Sequence, residues 1–427
     1  MRNLAPLTGL RGIAAYTVLI CHALDYPPIS YGSLTGYANF GMSLFFVLSG
    51  FVIQYNYGPA FRDKGFAPAT RDFVIARFAR LYPLYFIGLF VSLSYVDNPI
   101  FYKSMWMALA ALTLTQTIFN AQGVTGDLLG YSWSISTEVG LYLLFIALAT
   151  TLTRLKRPLL LAATVLLFGM GAMIALYNHQ NEILPFVPGY SWPTQVISAP
   201  GIIWLLYFSP IAQSFAFLVG ALIAQFYLRR VQHKPVASGL ATWSIAACAA
   251  YCVIIGALGE NRSSPAFNAI QPNLIFVPAI AIVILLLCMY ETFWNKILSS
   301  RLLQTMGEIS YSAYLLSAFV FVGLSRSFWF STPAVISVTR TAYVVALTTA
   351  LAYGSYHLFE APLRTWIRSL ARTRSKPDLP SQASAQGPDP HMGTMSTNRL
   401  GAPTGQTPVD RISRRQVAHH LTAESES

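Results

Sequence analysis

Eleven long apolar stretches run through this chain, and they constrain its fold more than any other feature. They lie at residues 7–25, 38–57, 78–96, 101–119, 131–153, 158–177, 200–227, 237–258, 273–290, 307–325 and 336–360. A helix needs roughly 20 apolar residues to cross the hydrocarbon core of a bilayer. Hydrophobic residues make up 54% of the 427 residues and charged residues only 10%, which is too apolar for a soluble domain of this size. The sequence therefore predicts an all-α polytopic membrane protein.

The positions of lysine and arginine predict how many of these stretches cross. Loops on the cytoplasmic side carry an excess of both residues. The loop from Arg62 to Arg80 is rich in them, which places this loop and the N-terminus in the cytoplasm. Later basic clusters lie at residues 154–157, 229–234, 296–301 and 364–372. These clusters share the cytoplasmic side only if one earlier stretch does not cross. We predict that residues 101–119 are re-entrant or interfacial, which leaves about ten transmembrane helices and both termini in the cytoplasm.

Residues 1–372 are predicted to form one membrane-embedded domain, and residues 375–427 a cytoplasmic tail. The tail is rich in Pro, Ser, Gly, Thr and Gln and lacks apolar periodicity, which is typical of disorder. Arg11 lies inside the first apolar stretch, and no small-residue cleavage motif follows that stretch. Both observations argue against a removed signal peptide, so we expect the first helix to be retained.

Charge and cysteine content argue against two other classes of protein. The formal net charge is +12, but the basic residues cluster beside apolar stretches and no aromatic-basic platform accompanies them. We therefore expect no nucleic-acid partner. All four cysteines lie in apolar stretches, with neither CxxC nor Cys/His ligand spacing. We expect no metal site.

The first apolar stretch contains an arginine, Arg11, and a histidine, His22, with ten residues between them. In a helix, a rise of about 1.5 Å per residue separates them by roughly 16 Å, about half of the hydrocarbon core. Ionisable groups in membrane helices are costly and usually face a cavity or a pathway, so both residues are candidates for a functional site. The alternative is a snorkelling arginine and a hydrogen-bonded core histidine.

Arg77 and Arg80 are three residues apart, which puts both guanidinium groups on one face of a helix. Their planar forks suit a phosphorylated ligand, because each can grip two phosphate oxygens. Plain positive-inside topology or contact with lipid headgroups would also explain them.

Polar residues mark the beginning of the helix predicted at residues 131–153. Ser134, Glu138 and Tyr142 are spaced four residues apart and so share one face. A carboxylate at a helix N-terminus can do no more than stabilise the helix dipole. By the predicted topology, however, Glu138 lies at the level that His22 reaches, which favours a cavity lined by this face.

Two later segments combine small, hydroxyl and ionisable residues. Ser310 and Tyr314 share a helical face, and interhelical hydrogen bonds with small-residue packing explain them better than a direct role. His357 and Glu360, at the end of the last stretch, are expected to pair with nearby arginines.

Six motifs of the chain, taken in order, carry a resemblance to a known family. They are Arg11 with His22, Phe45–Ile53 (FFVLSGFVI), Arg77–Arg80 (RFAR), Trp133–Glu138 (WSISTE) with Tyr142, Ile309–Leu315 (ISYSAYL) and Glu360–Arg364 (EAPLR). Together they resemble the signatures of the acyltransferase-3 family, the integral-membrane O-acyltransferases of bacterial surface glycans, antibiotics and related acceptors. The resemblance spans about residues 5 to 370.

This resemblance implies a central cavity among the helices, an acyl-CoA donor on the cytoplasmic side, and transfer of an acyl group to a hydroxyl. Position by position, His22 resembles the essential histidine, Arg11 its partner on the same helix, and Glu138 the acid of the Trp133–Glu138 motif. Arg77 and Arg80 resemble the pair that binds the donor. The chain departs from the family after Tyr314–Leu315, where members often have a histidine and this chain continues with Leu316 and Ser317, so no histidine role is assigned there.

On this basis we expect an enzyme of the bacterial inner membrane, with acetyl-CoA, or another acyl-CoA, as co-substrate and a surface or exported carbohydrate, or a glycolipid, as acceptor. His22 is the best general base, with Glu138 to orient it or stabilise its protonated form. A covalent acyl-His intermediate stays open. The residues expected to contact the acceptor are Ser134, Tyr142 and Tyr314. The alternatives are a secondary transporter or flippase with a His/Glu/Arg relay, and a scaffold or donor channel that serves another enzyme.

Overall fold

The computed structural model describes residues 4–25, 34–95, 105–119, 132–186, 204–230, 236–259, 264–325 and 336–373. Helices account for nearly all of them. They are α1 (Ala5–Asp25), α2 (Thr35–Asp63), α3 (Phe66–Tyr95), α4 (Met105–Thr113), α5 (Trp133–Arg154), α6 (Pro158–Asn178), α7 (Gln180–Ile183), α8 (Pro210–Arg230), α9 (Gly239–Leu258), α10 (Pro265–Ile270), α11 (Val277–Met289), α12 (Phe293–Leu298), α13 (Arg301–Glu308), α14 (Ser310–Ser325), α15 (Ile336–Ser355) and α16 (Ala361–Thr373). A 3₁₀ turn covers Leu184–Phe186, and the two-residue strands β1 (Val236–Ala237) and β2 (Tyr290–Glu291) pair in parallel.

Seven helical segments of this part of the chain are long and apolar enough to cross a membrane. They are Ala5–Leu24, Thr35–Asp63, Phe66–Val91, Trp133–Arg154, Pro158–Asn178, Trp204–Arg230 and Gly239–Leu258. Two shorter apolar helices, Val277–Met289 and Ser310–Phe321, follow them. With α15, these segments coincide with the stretches that the sequence predicts to cross. The all-α polytopic fold is confirmed, and the count of ten crossings and the central cavity stay predictions.

Residues 105–119 form a short helix and a turn. Helix α4 has nine residues, or about 14 Å of helix, less than half of the roughly 30 Å hydrocarbon core. Leu114, directly after α4, has a left-handed backbone with a φ of 57°, which ends the helix. The described part of the segment 101–119 is therefore too short to cross as one helix, as the predicted topology requires.

Helices α2 and α8 make the most extensive contact between helices. A Cβ atom on Gly50 would lie 1.9 Å from the carbonyl oxygen of Phe217, and one on Gly220 would lie 2.0 Å from that of Val47. Only glycine fits at these two positions, which is how small residues let helices of a membrane bundle approach closely. The contact holds α2, with its Phe45–Ile53 motif, against the middle of the bundle.

Two π-helical turns stand just before prolines. Trp204–Phe208 precedes Pro210, and Tyr356–Glu360 precedes Pro362. Proline has no N–H and its ring crowds the preceding turn, so the helix widens there. In the second turn the N–H of Ala361 donates to the carbonyl of Tyr356. The widened turn joins α15 to α16. The predicted tail at residues 375–427 lies outside the described residues.

Candidate active site

Arg11 and His22 both lie on α1, as predicted, and Arg11 binds the end of another helix. Its Nε donates to the carbonyl oxygen of Gly307 at 2.8 Å, and its Nη2 donates to the same oxygen. Gly307 is in the last turn of α13, where carbonyl groups lack partners within the helix. Arg11 therefore caps α13 with part of its guanidinium group, a contact that the sequence did not indicate.

Close packing of α1 against α13 accompanies this contact. A Cβ atom on Gly307 would lie 2.0 Å from the carbonyl oxygen of Thr8, and one on Gly12 would lie 2.9 Å from the backbone nitrogen of Gly307. The small-residue packing predicted for this segment is confirmed. It holds Arg11 at a constant distance from the end of α13.

His22 is half-buried in the last turn of α1. It lies eleven residues beyond Arg11, roughly 16 Å further along the helix axis. Among the described residues, no hydrogen bond joins His22 to Glu138, whose Oε1 and Oε2 accept from Ser49 and Tyr142. The direct histidine–carboxylate pair considered from the sequence is therefore not seen in that part of the chain.

Glu138 instead joins α5 to α2. The hydroxyl of Ser49 donates to Oε1 of Glu138 at 2.8 Å, and the hydroxyl of Tyr142 donates to Oε2 at 3.0 Å. Ser49 was not among the predicted site residues. The signal that would have found it is its position as the one polar side chain of the Phe45–Ile53 motif.

Arg77 is held by aromatic residues. It is only 9% exposed, its Nη2 donates to the hydroxyl of Tyr57 at 3.0 Å, and its Cζ lies 4.9 Å from the centre of the Tyr57 ring and 5.9 Å from that of Tyr142. Aromatic faces stabilise a guanidinium group. Tyr57 is a further site residue that the sequence did not reveal.

The cation of Arg77 is only partly satisfied by these contacts. No carboxylate lies within 4 Å of it among the described residues, although Glu138 is close enough to act on its charge. Its Nε is buried and has no hydrogen-bond partner in that part of the chain. Leaving a buried charged donor unpaired is costly. The site therefore has a buried donor that a ligand able to accept hydrogen bonds would satisfy.

Ser134 and Tyr314, both predicted to contact the acceptor, lie together. The hydroxyl of Ser134 donates to that of Tyr314 at 3.0 Å, which joins α5 to α14. The ring of Phe45 meets the ring of Tyr314 edge-on, with 6.3 Å between their centres. The expectation of interhelical hydrogen bonds at residues 310–314 is confirmed. With Glu138 and Tyr142, these residues line up along one side of α5.

A second group of charges surrounds Arg11. Arg80, Glu360 and Arg364 are all within electrostatic range of its guanidinium group. Glu360 is buried and accepts a hydrogen bond of 2.7 Å from the hydroxyl of Ser312. The structure thus brings α1, α3 and the junction of α15 and α16 to one end of the bundle.

The expected pairing of His357 and Glu360 with arginines is wrong for the described residues. Glu360 has no basic partner within 4 Å there. The ring of His357 packs against the rings of Tyr353 and Tyr356, at 4.4 and 5.1 Å between centres. The π-helical turn sets these directions, since it shifts the register of side chains that a regular helix would keep. In the same described ranges, no three of His, Cys, Asp and Glu form a group that would hold a metal ion.

Comparison with known proteins connects this arrangement to acyl transfer. Residues 5–357 match the sequence model of a family described as an acyltransferase domain. Acyltransferase MdmB of Streptomyces mycarofaciens is 26% identical over 330 residues, which cover 73% of this chain and 78% of MdmB. YrhL of Bacillus subtilis strain 168, named as a candidate peptidoglycan O-acetyltransferase, is 25% identical over 390 residues, which cover 87% of this chain and 56% of YrhL.

A shorter match is to protein 2 in the picA locus of Rhizobium radiobacter. It is 37% identical over 89 residues, or 21% of this chain and 44% of that protein. The chain thus spans about half the length of two of these three relatives. No solved structure gives a significant match.

Proposed function

The chain belongs to the acyltransferase family that its residues 5–357 match, and on this premise we propose that it is a membrane O-acyltransferase. It moves an acetyl group from cytoplasmic acetyl-CoA to a hydroxyl of a surface or exported carbohydrate, or of a glycolipid, at the bacterial inner membrane. The observation that carries the proposal is the buried guanidinium of Arg77, whose Nε has no partner among the described residues. A phosphorylated donor supplies the acceptor oxygens that this group lacks.

Arg77 and Arg80 bind the diphosphate of the donor. They lie three residues apart on α3 and so on one face of it, and Arg80 is half-buried between Arg77 and the solvent. An arginine fork bound to phosphate forms parallel charge-assisted hydrogen bonds, which gives orientation as well as affinity. The Nε and Nη2 groups of Arg11 donate to the carbonyl oxygen of Gly307. The remaining N–H groups of Arg11 guide the donor into the site.

His22 is the general base. Its imidazole takes the proton from the acceptor hydroxyl while that oxygen attacks the thioester carbonyl carbon. The carbon–sulfur bond then breaks, the thiolate of CoA leaves with the electron pair, and His22 returns the proton to it. The roughly 16 Å along α1 between Arg11 and His22 is bridged by the pantetheine arm, so the phosphates stay at one end of the bundle while the thioester reaches the histidine.

Glu138 acts as a positioning residue. Its oxygens hold Ser49 and Tyr142, and the ring of Tyr142 is one of the aromatic surfaces around Arg77. Its negative charge also offsets that of Arg77 across a short distance. This role replaces a direct contact with His22 and explains why a carboxylate is needed inside the bundle.

The acceptor enters from the opposite side, where Ser134 and Tyr314 offer two hydroxyl groups. Tyr142 was also predicted to contact the acceptor, but its ring faces Arg77, so we assign it to the donor side instead. Hydroxyl-rich side chains exchange hydrogen bonds readily with the hydroxyl groups of a sugar. Peptidoglycan, the acceptor that the name of YrhL carries, is one glycan of this class.

The test compares cells that produce the wild-type chain, His22→Ala, or no copy. Mass spectrometry of their surface glycans and glycolipids is expected to show one extra acyl group per modified unit with the wild type alone. His179→Ala is the matched control, because His179 is exposed at the end of α6 and its one ion pair among the described residues is with Glu182. The purified wild-type protein must also consume acetyl-CoA when the acceptor is present. No acyl difference in any glycan or glycolipid pool, together with no thioester consumption, would refute the proposal.

A further inference from the structure

Arg364 and Arg368 of helix α16 are not used in the proposed mechanism. Arg364 and Arg368 are four residues apart and so on one face. α16 packs against α3, the helix of Arg77 and Arg80. The π-helical turn before Pro362 sets the direction in which α16 leaves the bundle, and so brings these arginines to the same end as the donor-binding pair.

The four arginines form one cluster. Arg368 is within electrostatic range of Arg364, Arg77 and Arg80. The guanidinium of Arg364 lies 5.9 Å from the centre of the Tyr356 ring. No carboxylate lies within 4 Å of any of these four side chains among the described residues. Like charges gathered without a carboxylate in contact repel, which is a cost that a bound polyanion removes.

Exposure increases in order through the cluster. Arg77 is buried, Arg80 and Arg364 are half-buried, and Arg368 is exposed. Coenzyme A has its charges in two places: the diphosphate in the middle of the molecule, and the 3′-phosphate on the ribose, at the end opposite the thioester. A donor that enters with its thioester first therefore leaves its 3′-phosphate at the mouth of the site, beside the outer arginines.

We propose that Arg364 and Arg368 form a second anion subsite, at the mouth of the donor site, which binds the 3′-phosphate of the acyl-CoA donor. The inference rests on the proposed function, since it takes acyl-CoA as the ligand. It assigns Arg77 and Arg80 to the diphosphate and the α16 pair to the terminal phosphate monoester. The subsite gives the enzyme a means to distinguish CoA from 3′-dephospho-CoA.

A phosphate group at this position has two sources, the donor or the headgroup of an anionic lipid. Both offer the same chemistry to an arginine pair. The two sources can be distinguished by changing the probe or the membrane. Binding of the donor phosphate is lost when the 3′-phosphate is removed from the probe, whereas binding of a lipid phosphate depends on the lipid composition of the membrane.

The experiment measures binding of CoA and of 3′-dephospho-CoA by calorimetry to the full chain in nanodiscs. The wild type, Arg364→Gln and Arg368→Gln are compared in phosphatidylcholine and in phosphatidylcholine with phosphatidylglycerol. We expect the wild type to bind CoA about tenfold more tightly than 3′-dephospho-CoA, the effect of one additional charge-assisted contact. Each α16 variant removes this preference and leaves the affinity for 3′-dephospho-CoA within about twofold, which also shows that the variant is folded.

The matched control is Arg71→Gln, which removes an exposed arginine near the beginning of α3 and is expected to keep the preference. Equal wild-type affinities for the two probes, or a preference that survives in both α16 variants, overturns the inference. So does a preference that phosphatidylglycerol abolishes, because lipid headgroups then occupy the subsite. If the wild type binds neither CoA nor 3′-dephospho-CoA, the proposal that acyl-CoA is the donor is refuted together with this inference. If the wild type binds both probes equally and Arg77→Gln weakens binding of both, only the second anion subsite is refuted.

Discussion

Ser49 on α2 donates a hydrogen bond of 2.8 Å to Glu138 on α5, across 89 positions of sequence. Tyr142 binds the other oxygen of the same carboxylate, and its ring faces the guanidinium of Arg77. Two of the separate motifs, Phe45–Ile53 and Trp133–Glu138, thus meet at one carboxylate, and Tyr142 connects that carboxylate to Arg77 of a third motif, Arg77–Arg80. Removing the side chain of Ser49, Glu138 or Tyr142 is therefore expected to weaken binding of the donor, although His22 is not part of this group.

Ser49→Ala tests this connection. It removes one hydrogen bond to a charged acceptor inside the bundle, so we expect the free energy of unfolding to fall by about 1.5 kcal/mol and the affinity for acetyl-CoA to fall with it. Thermal unfolding in detergent and the KM for acetyl-CoA are the measurements. Ser214→Ala is the control, because within the described ranges that hydroxyl bonds to the carbonyl of Ile211, one turn earlier, and to no other group. Equal effects of the two substitutions would contradict the role given to Glu138.

His22→Ala is expected to lower kcat by about 10²-fold or more, because a general base contributes roughly that much to proton transfer. Binding of CoA is expected to stay within about twofold, since the phosphates lie at the other end of α1. Single-turnover acyl transfer and calorimetric binding separate the two effects. A variant that keeps near-normal turnover would exclude His22 as the base.

Arg77→Lys keeps the charge but removes the planar fork and the Nε that has no partner in the described structure. We expect the KM for acetyl-CoA to rise about tenfold with little change in kcat, because the fork contributes to binding and not to bond breaking. The control is Arg71→Lys, at an exposed position on the same helix. The KM for acetyl-CoA and kcat are measured by steady-state kinetics with saturating acceptor. An unchanged KM would show that Arg77 does not bind the donor.

Gly307→Ala and Gly171→Ala are expected to act in opposite directions. The new Cβ at position 307 would lie 2.0 Å from the carbonyl oxygen of Thr8, which forces α1 and α13 apart and costs about 3 kcal/mol. At position 171, in the middle of α6, no atom lies within 4 Å. Alanine there raises stability by about 0.5–1 kcal/mol, because glycine loses more freedom on folding. Thermal unfolding midpoints check both signs, and a neutral Gly307→Ala would show that the helices do not approach as described.

The sequence alone predicted the elements of this fold, because the bilayer imposes a length and an apolar composition on each crossing helix. It also predicted that residues 101–119 differ from the other apolar stretches, since the positions of Lys and Arg record which loops stay in the cytoplasm. Spacings of three and four residues correctly placed Glu138 with Tyr142 on one face, because helical periodicity is a local property.

Contacts between helices were decided by the tertiary structure. The sequence suggested Glu138 as a partner of His22, but in the packed structure this carboxylate accepts hydrogen bonds from Ser49 and Tyr142. The sequence also suggested arginine partners for Glu360, which lies in the π-helical turn and accepts a hydrogen bond from Ser312. Periodicity sets the face of a helix on which a residue lies, whereas the partner of that face depends on which backbones can approach each other. Here close approach at Gly50, Gly220 and Gly307 settled that choice, and no local pattern of sequence encodes it.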